Sequence, residues 1–173
     1  VVVSCMMVNN ELGNVYPIAE IAAGLSARNP QTLLHTDAVQ GFLKVPFAAK
    51  SLGADFITIS AHKIGGPKGI GALYLRKGLR IEPLIEGGAQ ERGKRAGTEN
   101  LPGICGAAAA FDEACATMER EAAHLTALRD RLIDGLLAIP HTALNGDPVR
   151  RLPGNVNVCF EGIEGESLLL MLD

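Results

Sequence analysis

Gly53-Ala54-Asp55-Phe56-Ile57-Thr58-Ile59-Ser60-Ala61-His62-Lys63 is the stretch on which the fold turns. Its centre, residues 56–60, is apolar and β-branched, follows a Gly-Ala-Asp turn, and reads as a buried strand. It leads directly into His62 and Lys63 and then into a glycine-rich loop, Gly65-Gly66-Pro67-Lys68-Gly69-Ile70-Gly71. A lysine at the mouth of a buried strand is unusual, because lysine is almost never fully buried without a partner. Its amine stands where the chain is preparing to meet a ligand.

Working outward, strands and helices alternate. Residues 1–8 form a strand-like run, a polar turn covers 9–14, and a helix opens at Pro17 with Ile18, Ile21, Ala22 and Leu25 at helical spacing. A second strand at 32–36 ends on Asp37, and Pro46 opens a helix to Leu52 before the third strand. This order predicts a mainly parallel α/β sheet. The run 71–75 follows the glycine loop closely enough to be an edge strand or an antiparallel partner. From Leu101 the texture changes to a long helical stripe (Ala107, Ala110, Phe111, Ala114, Met118, Ala122, Leu125, Leu128, Leu132, Leu136) that ends by Ile139-Pro140 with at most one break. A loop at 145–148, a strand at 156–160 and a helix from Glu164 complete the chain. The expected organisation is an α/β portion over residues 1–116 and the beginning of a small α+β domain over 117–173, hinged by the long helix. Both ends fall inside apolar runs, so the sequence reads as an internal piece of a longer protein.

Composition sets mild bounds. A formal net charge of -3 over 173 residues leaves no basic footprint for nucleic acid and no acidic tail. Apolar runs are interrupted well before the roughly 18 residues of a membrane span, and no basic leader precedes the first strand. A cytoplasmic protein without nucleic-acid or membrane partners is the expectation. Cys5, Cys105, Cys115 and Cys159 are dispersed without CxxC or Cys/His spacing, so neither a zinc site nor a disulfide framework is expected, and they read as small core residues.

Ligands of open parallel sheets bind beyond the carboxyl ends of the strands. There this chain places Asn9-Asn10-Glu11, then Asp37-Ala38-Val39-Gln40, then Ser60-Ala61-His62-Lys63. Asp37 and Lys63 are 26 residues apart, close to one strand-helix-strand unit. An acid and an amine on successive strand ends meet the demands of pyridoxal 5'-phosphate: the lysine forms a Schiff base, and the carboxylate keeps the pyridine nitrogen protonated. Gln40 suits the phenolic oxygen, while Ser60, His62 and glycine-loop amides suit the phosphate. Singly, each residue has a plainer reading. Lys63 would be a snorkelling surface lysine, Asp37 a helix cap, His62 a structural histidine, and Gln40 and Asn10 ordinary loop residues. Acting together they favour the cofactor. His35 stays structural, and Glu91, Arg92 and Arg95 are solvated or interface charges. The glycine loop fits neither GxxxxGK[ST] nor GxGxxG, so nucleotide binding is not supported.

The segments Asn10-Glu11-Leu12-Gly13, His35-Thr36-Asp37-Ala38-Val39-Gln40, Ser60 to Gly69, Gly87-Gly88-Ala89-Gln90-Glu91-Arg92-Gly93 and Arg95-Ala96-Gly97-Thr98-Glu99-Asn100 resemble the successive signatures of cysteine desulfurases, members of the class V aminotransferase-like group of fold-type I pyridoxal-phosphate enzymes. Asn145-Gly146, the 155–158 strand and Glu164 to Leu168 resemble the family's small domain, so the likeness runs through the whole chain. It implies Lys63 as the cofactor lysine, Asp37 as the pyridinium partner, Gln40 on the phenolic oxygen, Ser60 and His62 on the phosphate, and Asn10 beside the cofactor and substrate carboxylate. It also implies a homodimer in which Thr98 reaches the phosphate of the neighbouring subunit. The implied reaction takes L-cysteine to L-alanine and passes sulfur, as an enzyme persulfide, to an acceptor protein of iron-sulfur or thiolation pathways. None of the four cysteines stands in the family's sulfur-accepting motif, which with the carboxylate-binding arginine belongs after residue 173; the ring-stacking histidine and a phosphate-binding turn belong before residue 1. A selenocysteine lyase, a kynureninase-like hydrolase or an aminotransferase would share the lysine and aspartate. A non-catalytic scaffold of the same fold is the reading from a different class.

Overall fold

A computed structural model describes residues 1–172. Four strands, β1 (Val2–Met6), β2 (Leu33–Asp37), β3 (Phe56–Ser60) and β4 (Gly71–Leu75), lie in one sheet in that order. The first three are parallel and β4 is antiparallel to β3, as expected of a short return through a glycine loop. Helices α1 (Ile18–Arg28) and α2 (Ala49–Leu52) make the two crossovers. The α/β architecture expected from the alternation is therefore the one observed.

The strand period of two sorts the sheet's residues onto two faces. Leu34, Thr36, Ala38 and Ile57 are buried, together with Met7, Val8, Ile18, Leu52 and Ala54. Val3, Cys5, Ile21, Ala22, Leu25 and Ile59 pack around this core. The opposite face carries Ser4, His35, Asp37, Thr58 and Ser60, which are half-buried or exposed. At the far edge Asp55, only 6% exposed, accepts from Leu34 N at 2.7 Å and from Arg76 Nε at 2.5 Å. A buried carboxylate requires such partners, and these two tie β2 to the end of β4.

Several boundaries differ from the sequence reading. β1 stops at Met6, and Val8 instead bridges antiparallel to Val15. The cause is Asn9, whose Oδ1 accepts from Glu11 N at 3.0 Å and Leu12 N at 2.7 Å, turning the chain back on itself. The second helix starts at Ala49 rather than at Pro46; no side chain caps it, and Gly53 ends it in the left-handed region after one turn.

Helix α3 (Gln90–Gly93) is a single turn with Glu91 and Arg92 at positive φ. Helix α4 runs unbroken from Leu101 to Leu137. Asn100 caps it by accepting from Gly103 N at 3.1 Å, with Pro102 in its first turn. It passes position 116 without interruption, lies against the turn after β3, and sets Phe111 edge-on to Phe42 with centroids 5.3 Å apart. Beyond it, β5 (Thr142–Leu144) pairs antiparallel with β6 (Val158–Phe160), and α5 spans Gly165–Leu172. Three residues after a proline were too short a run to betray β5 in the sequence. The cysteines correct another expectation: Cys105, Cys115 and Cys159 are exposed and Cys5 is half-buried. The first two ride the open side of α4, and the third lies on the exposed side of β6. Among the described residues no helix is long and apolar enough to cross a membrane.

Thr36 is wholly buried and its Oγ1 has no hydrogen-bond partner. A desolvated hydroxyl without a partner costs about 1–3 kcal/mol. Thr36→Val keeps the shape and removes that cost, so it should raise the urea midpoint at unchanged m-value; a lower midpoint would contradict this account.

Candidate active site

Parallel pairing brings the ends of β1, β2 and β3 to one edge. Asp37 is flanked in register by Met6 of β1 and Thr58 of β3. The ladder closes around it, with Met7 N donating to Asp37 O at 2.8 Å and Ala38 N to Thr58 O at 2.9 Å. Neighbouring strands are about 4.8 Å apart, so Asp37 and Thr58 stand side by side, and Ser60 follows on the same face one pleat further along.

Asp37 Oδ1 accepts from Val39 N at 2.9 Å, which orients the half-buried carboxylate and leaves Oδ2 to face a donor. Gln40 follows in a tight turn in which Gly41 N and Phe42 N both donate to Ala38 O, at 3.0 and 2.7 Å. A Cβ at Gly41 would come within 2.8 Å of Met7 Sδ, so any larger residue there obliges the Met7 side chain to shift. After β3 the chain enters a 3₁₀ turn, Ala61–Ile64, stopped by Gly65 at φ 83°. Ser60 Oγ and His62 Nδ1 lie 2.7 Å apart as a hydrogen-bonded pair. Both His62 and Lys63 are exposed, so the lysine projects from a helical turn just beyond the strand and is not enclosed at its mouth. Asn10 is exposed in the loop after β1. Thr98 lines a cleft of about 470 Å³ beside β4 together with Gly69, Leu73, Arg95 and Ile104. The structure thus gathers Asp37, Gln40, Ser60, His62 and Lys63 at the sheet edge, with Asn10 on the adjoining loop and Thr98 in a cleft that begins at the glycine loop.

Two neighbours border this group: His35, read from the sequence as structural, and Lys44, which the sequence did not single out. His35 shares the face of Asp37, and its ring spans three strands, with Nδ1 2.7 Å from Ser4 Oγ and Nε2 3.2 Å from Thr58 Oγ1. Counting back two residues from Asp37 would have placed it there. Lys44, half-buried on the loop after β2, is held below the ordinary lysine value, first by burial and then by the positive charge of Lys63. No spacing in the sequence announces that approach. Among the described residues no cluster of acidic, histidine or cysteine side chains could hold a metal ion.

The whole sequence, residues 1–173, matches the model of the class-V aminotransferases. The chain belongs to that family. It is 54% identical over 173 residues to the cysteine desulfurase IscS of Methanosarcina thermophila, covering all of this chain and 42% of that protein. A solved NifS-like protein superposes with a TM-score of 0.94 at 42% identity, over 99% of this chain and 47% of the other. A structure described as SspA in complex with cysteine superposes with a TM-score of 0.77 at 31% identity, over 99% and 47%. This class-V chain therefore spans less than half the length of the relatives it matches. Its cofactor is pyridoxal 5'-phosphate. The donor set fits that group: one amine, one oriented carboxylate with an oxygen to spare, and a serine-histidine pair share one sheet edge.

The Lys44 ammonium gives a test of these electrostatics. Its proton is bound less tightly in the folded chain than in the unfolded one, so between its lowered folded value and the ordinary 10.5 the unfolded chain holds more protons and stability rises with pH. Lys44→Met removes that component. The stability of the variant relative to the parent should be greatest below the lowered folded value and shrink as pH rises toward 10.5, as read from urea midpoints; a pH-independent difference would refute the placement.

Proposed function

We propose that this chain contributes the cofactor-holding half of a pyridoxal-phosphate-dependent cysteine desulfurase. The observation that carries the proposal is the parallel register that sets Asp37 beside Thr58 and brings Ser60, His62 and Lys63 to the same edge. The cofactor, when bound, supplies an electron sink for charge left on a substrate carbon. The chain's own residues do the rest. Lys63 Nζ anchors the cofactor covalently and afterwards serves as the base that moves a proton at the substrate. Asp37, whose Oδ2 is left open, would hold the ring nitrogen and keep it protonated, because a nearby carboxylate favours the charged form. Gln40 meets the phenolic oxygen, the Ser60-His62 pair meets the phosphate, and Asn10 orients the substrate carboxylate from the β1 loop.

L-Cysteine is the substrate we favour, on the strength of the relatives named as cysteine desulfurases and the cysteine complex of SspA. Sulfur would leave as a persulfide on a thiol and L-alanine would remain. Cys5 packs on the core side of the sheet, Cys105, Cys115 and Cys159 are exposed on α4 and β6, and none of the four stands in the sulfur-accepting motif that the resemblance implies. The accepting thiol is therefore sought outside these four. A homodimer in which Thr98 serves the partner's phosphate is the assembly we favour, because the segment Arg95 to Asn100 resembles the family's motif. We assign residues 1–116 to the cofactor-binding domain and 117–173 to the small domain, a cytoplasmic location to the enzyme, and an acceptor protein to its sulfur.

Borohydride reduction of the full-length holoenzyme followed by peptide mapping should place a pyridoxyl group on Lys63, and in the presence of a thiol reductant, which releases the persulfide sulfur, L-cysteine should yield alanine and sulfide in equal amounts. Lys63→Ala should lower turnover by about 10²- to 10⁴-fold. An adduct on any other lysine would sink the cofactor assignment; an adduct on Lys63 with amino transfer in place of sulfur release would move the enzyme to another class-V activity.

A further inference from the structure

The loop that carries Asn10 does not hold itself in place. Residues 9–14 are gripped along their length by the segment 145–157. Asn14 Oδ1 accepts from Asp147 N at 2.7 Å, Leu152 N donates to Gly13 O at 2.8 Å, and Val15 N donates to Arg150 O at 2.8 Å. Two side-chain donors converge on the carbonyl of Glu11, the residue next to Asn10. Asn155 Nδ2 and Asn157 Nδ2 both donate to it, at 3.0 and 3.2 Å, which fills both of its lone pairs.

Neither amide is free to turn. Asn155 Oδ1 accepts from Arg151 Nη1 at 3.1 Å, and Asn157 Oδ1 accepts from Asn145 Nδ2 at 2.9 Å. These second bonds fix which end of each amide faces Glu11. Arg151, 5% exposed, also donates through Nε to Asp147 O at 3.0 Å and through Nη2 to Asn145 O. Gly13 sits at φ 73°, where a Cβ would run into the Asn155 side chain, so loop and clamp fit without spare room.

We propose that Asn155 and Asn157 are positioning residues for Asn10: by fixing the Glu11 carbonyl from the loop before β6, they set where the Asn10 side chain meets substrate. The assignment rests on the cofactor and substrate reading given above. Simple packing between two parts of the chain would predict a loss of stability alone, whereas positioning predicts an effect that passes through Asn10.

The test uses the full-length holoenzyme. Asn155→Asp and Asn157→Asp are isosteric, keep the acceptor toward Arg151 or Asn145, and replace the donor toward Glu11 O with a lone pair. Each should raise KM for L-cysteine about five- to tenfold, the scale of one lost hydrogen bond, with kcat changed less than about twofold and the visible absorption band of the bound cofactor shifted. In an Asn10→Ala background the same substitutions should change KM less than about twofold, since residues acting as one unit are not additive. Asn155→Ala and Asn157→Ala, which add no charge, enter the same cycle if an aspartate variant fails to fold. Equal effects in both backgrounds, or an unchanged KM and spectrum in folded variants, would overturn the positioning role. A parent enzyme with no cofactor band and no Lys63 adduct would overturn the functional reading instead.

Discussion

Three strands hydrogen-bonded in parallel must end at the same edge of their sheet, and that constraint organises everything chemical in this protein. Asp37 lies between Met6 and Thr58 because the ladder leaves it no other neighbours. Once that register is set, the next residues of β3 carry Ser60, His62 and Lys63 past the carboxylate with no further instruction. A slip of one residue would turn Asp37 into the core and Thr36 or Ala38 outward. The buried set of Leu34, Thr36, Ala38 and Ile57 forbids it. The apolar face therefore fixes the chemistry of the polar face.

That polar face is continuous. Ser4, His35 and Thr58 form a hydrogen-bonded row across β1, β2 and β3, immediately behind Asp37 on the same side. Such a row resists shear between the strands, and shear is the motion that would separate the acid from the lysine. Lys44 and Lys63 act in the opposite sense. Two ammonium groups near enough to depress one of them repel each other.

Much of this was legible in the sequence, for identifiable reasons. Strands 33–37 and 56–60 carry strong β-branched or apolar patterns between turn residues, and the spacing from Asp37 to Lys63 is that of one crossover, so the strand-end residues could be named before any coordinates. The 3₁₀ turn that carries Lys63 was hidden because Ala61-His62-Lys63-Ile64 has no periodicity over four residues. The exposed cysteines were misread because residue type alone favours burial, whereas α4 buries only Gly103, Ala107, Ala110 and Ile133 along 37 residues. Lys44 and the Asn155-Asn157 clamp were invisible for a different reason. Each is a contact between distant segments, 144 and 146 residues apart for the clamp, and no local pattern encodes it.

Arg151 shows why such a clamp holds. A buried guanidinium normally demands a carboxylate, yet the groups around this one are the carbonyls of Asn145, Asp147 and Asn155 and the side-chain oxygen of Asn155. Burial and the nearby Arg129 lower its proton affinity, opposed by Asp147, while Asp147 spends its own carboxylate on the amides of Val149 and Arg150. Four hydrogen bonds from a rigid fork, three to backbone carbonyls and one to an amide oxygen, specify one geometry of the surrounding loop. A carboxylate partner would neutralise the charge without defining where those carbonyls lie. The arrangement gives up favourable ion pairing and gains definition of the 145–157 segment, and that definition passes through two asparagine amides to the carbonyl beside Asn10.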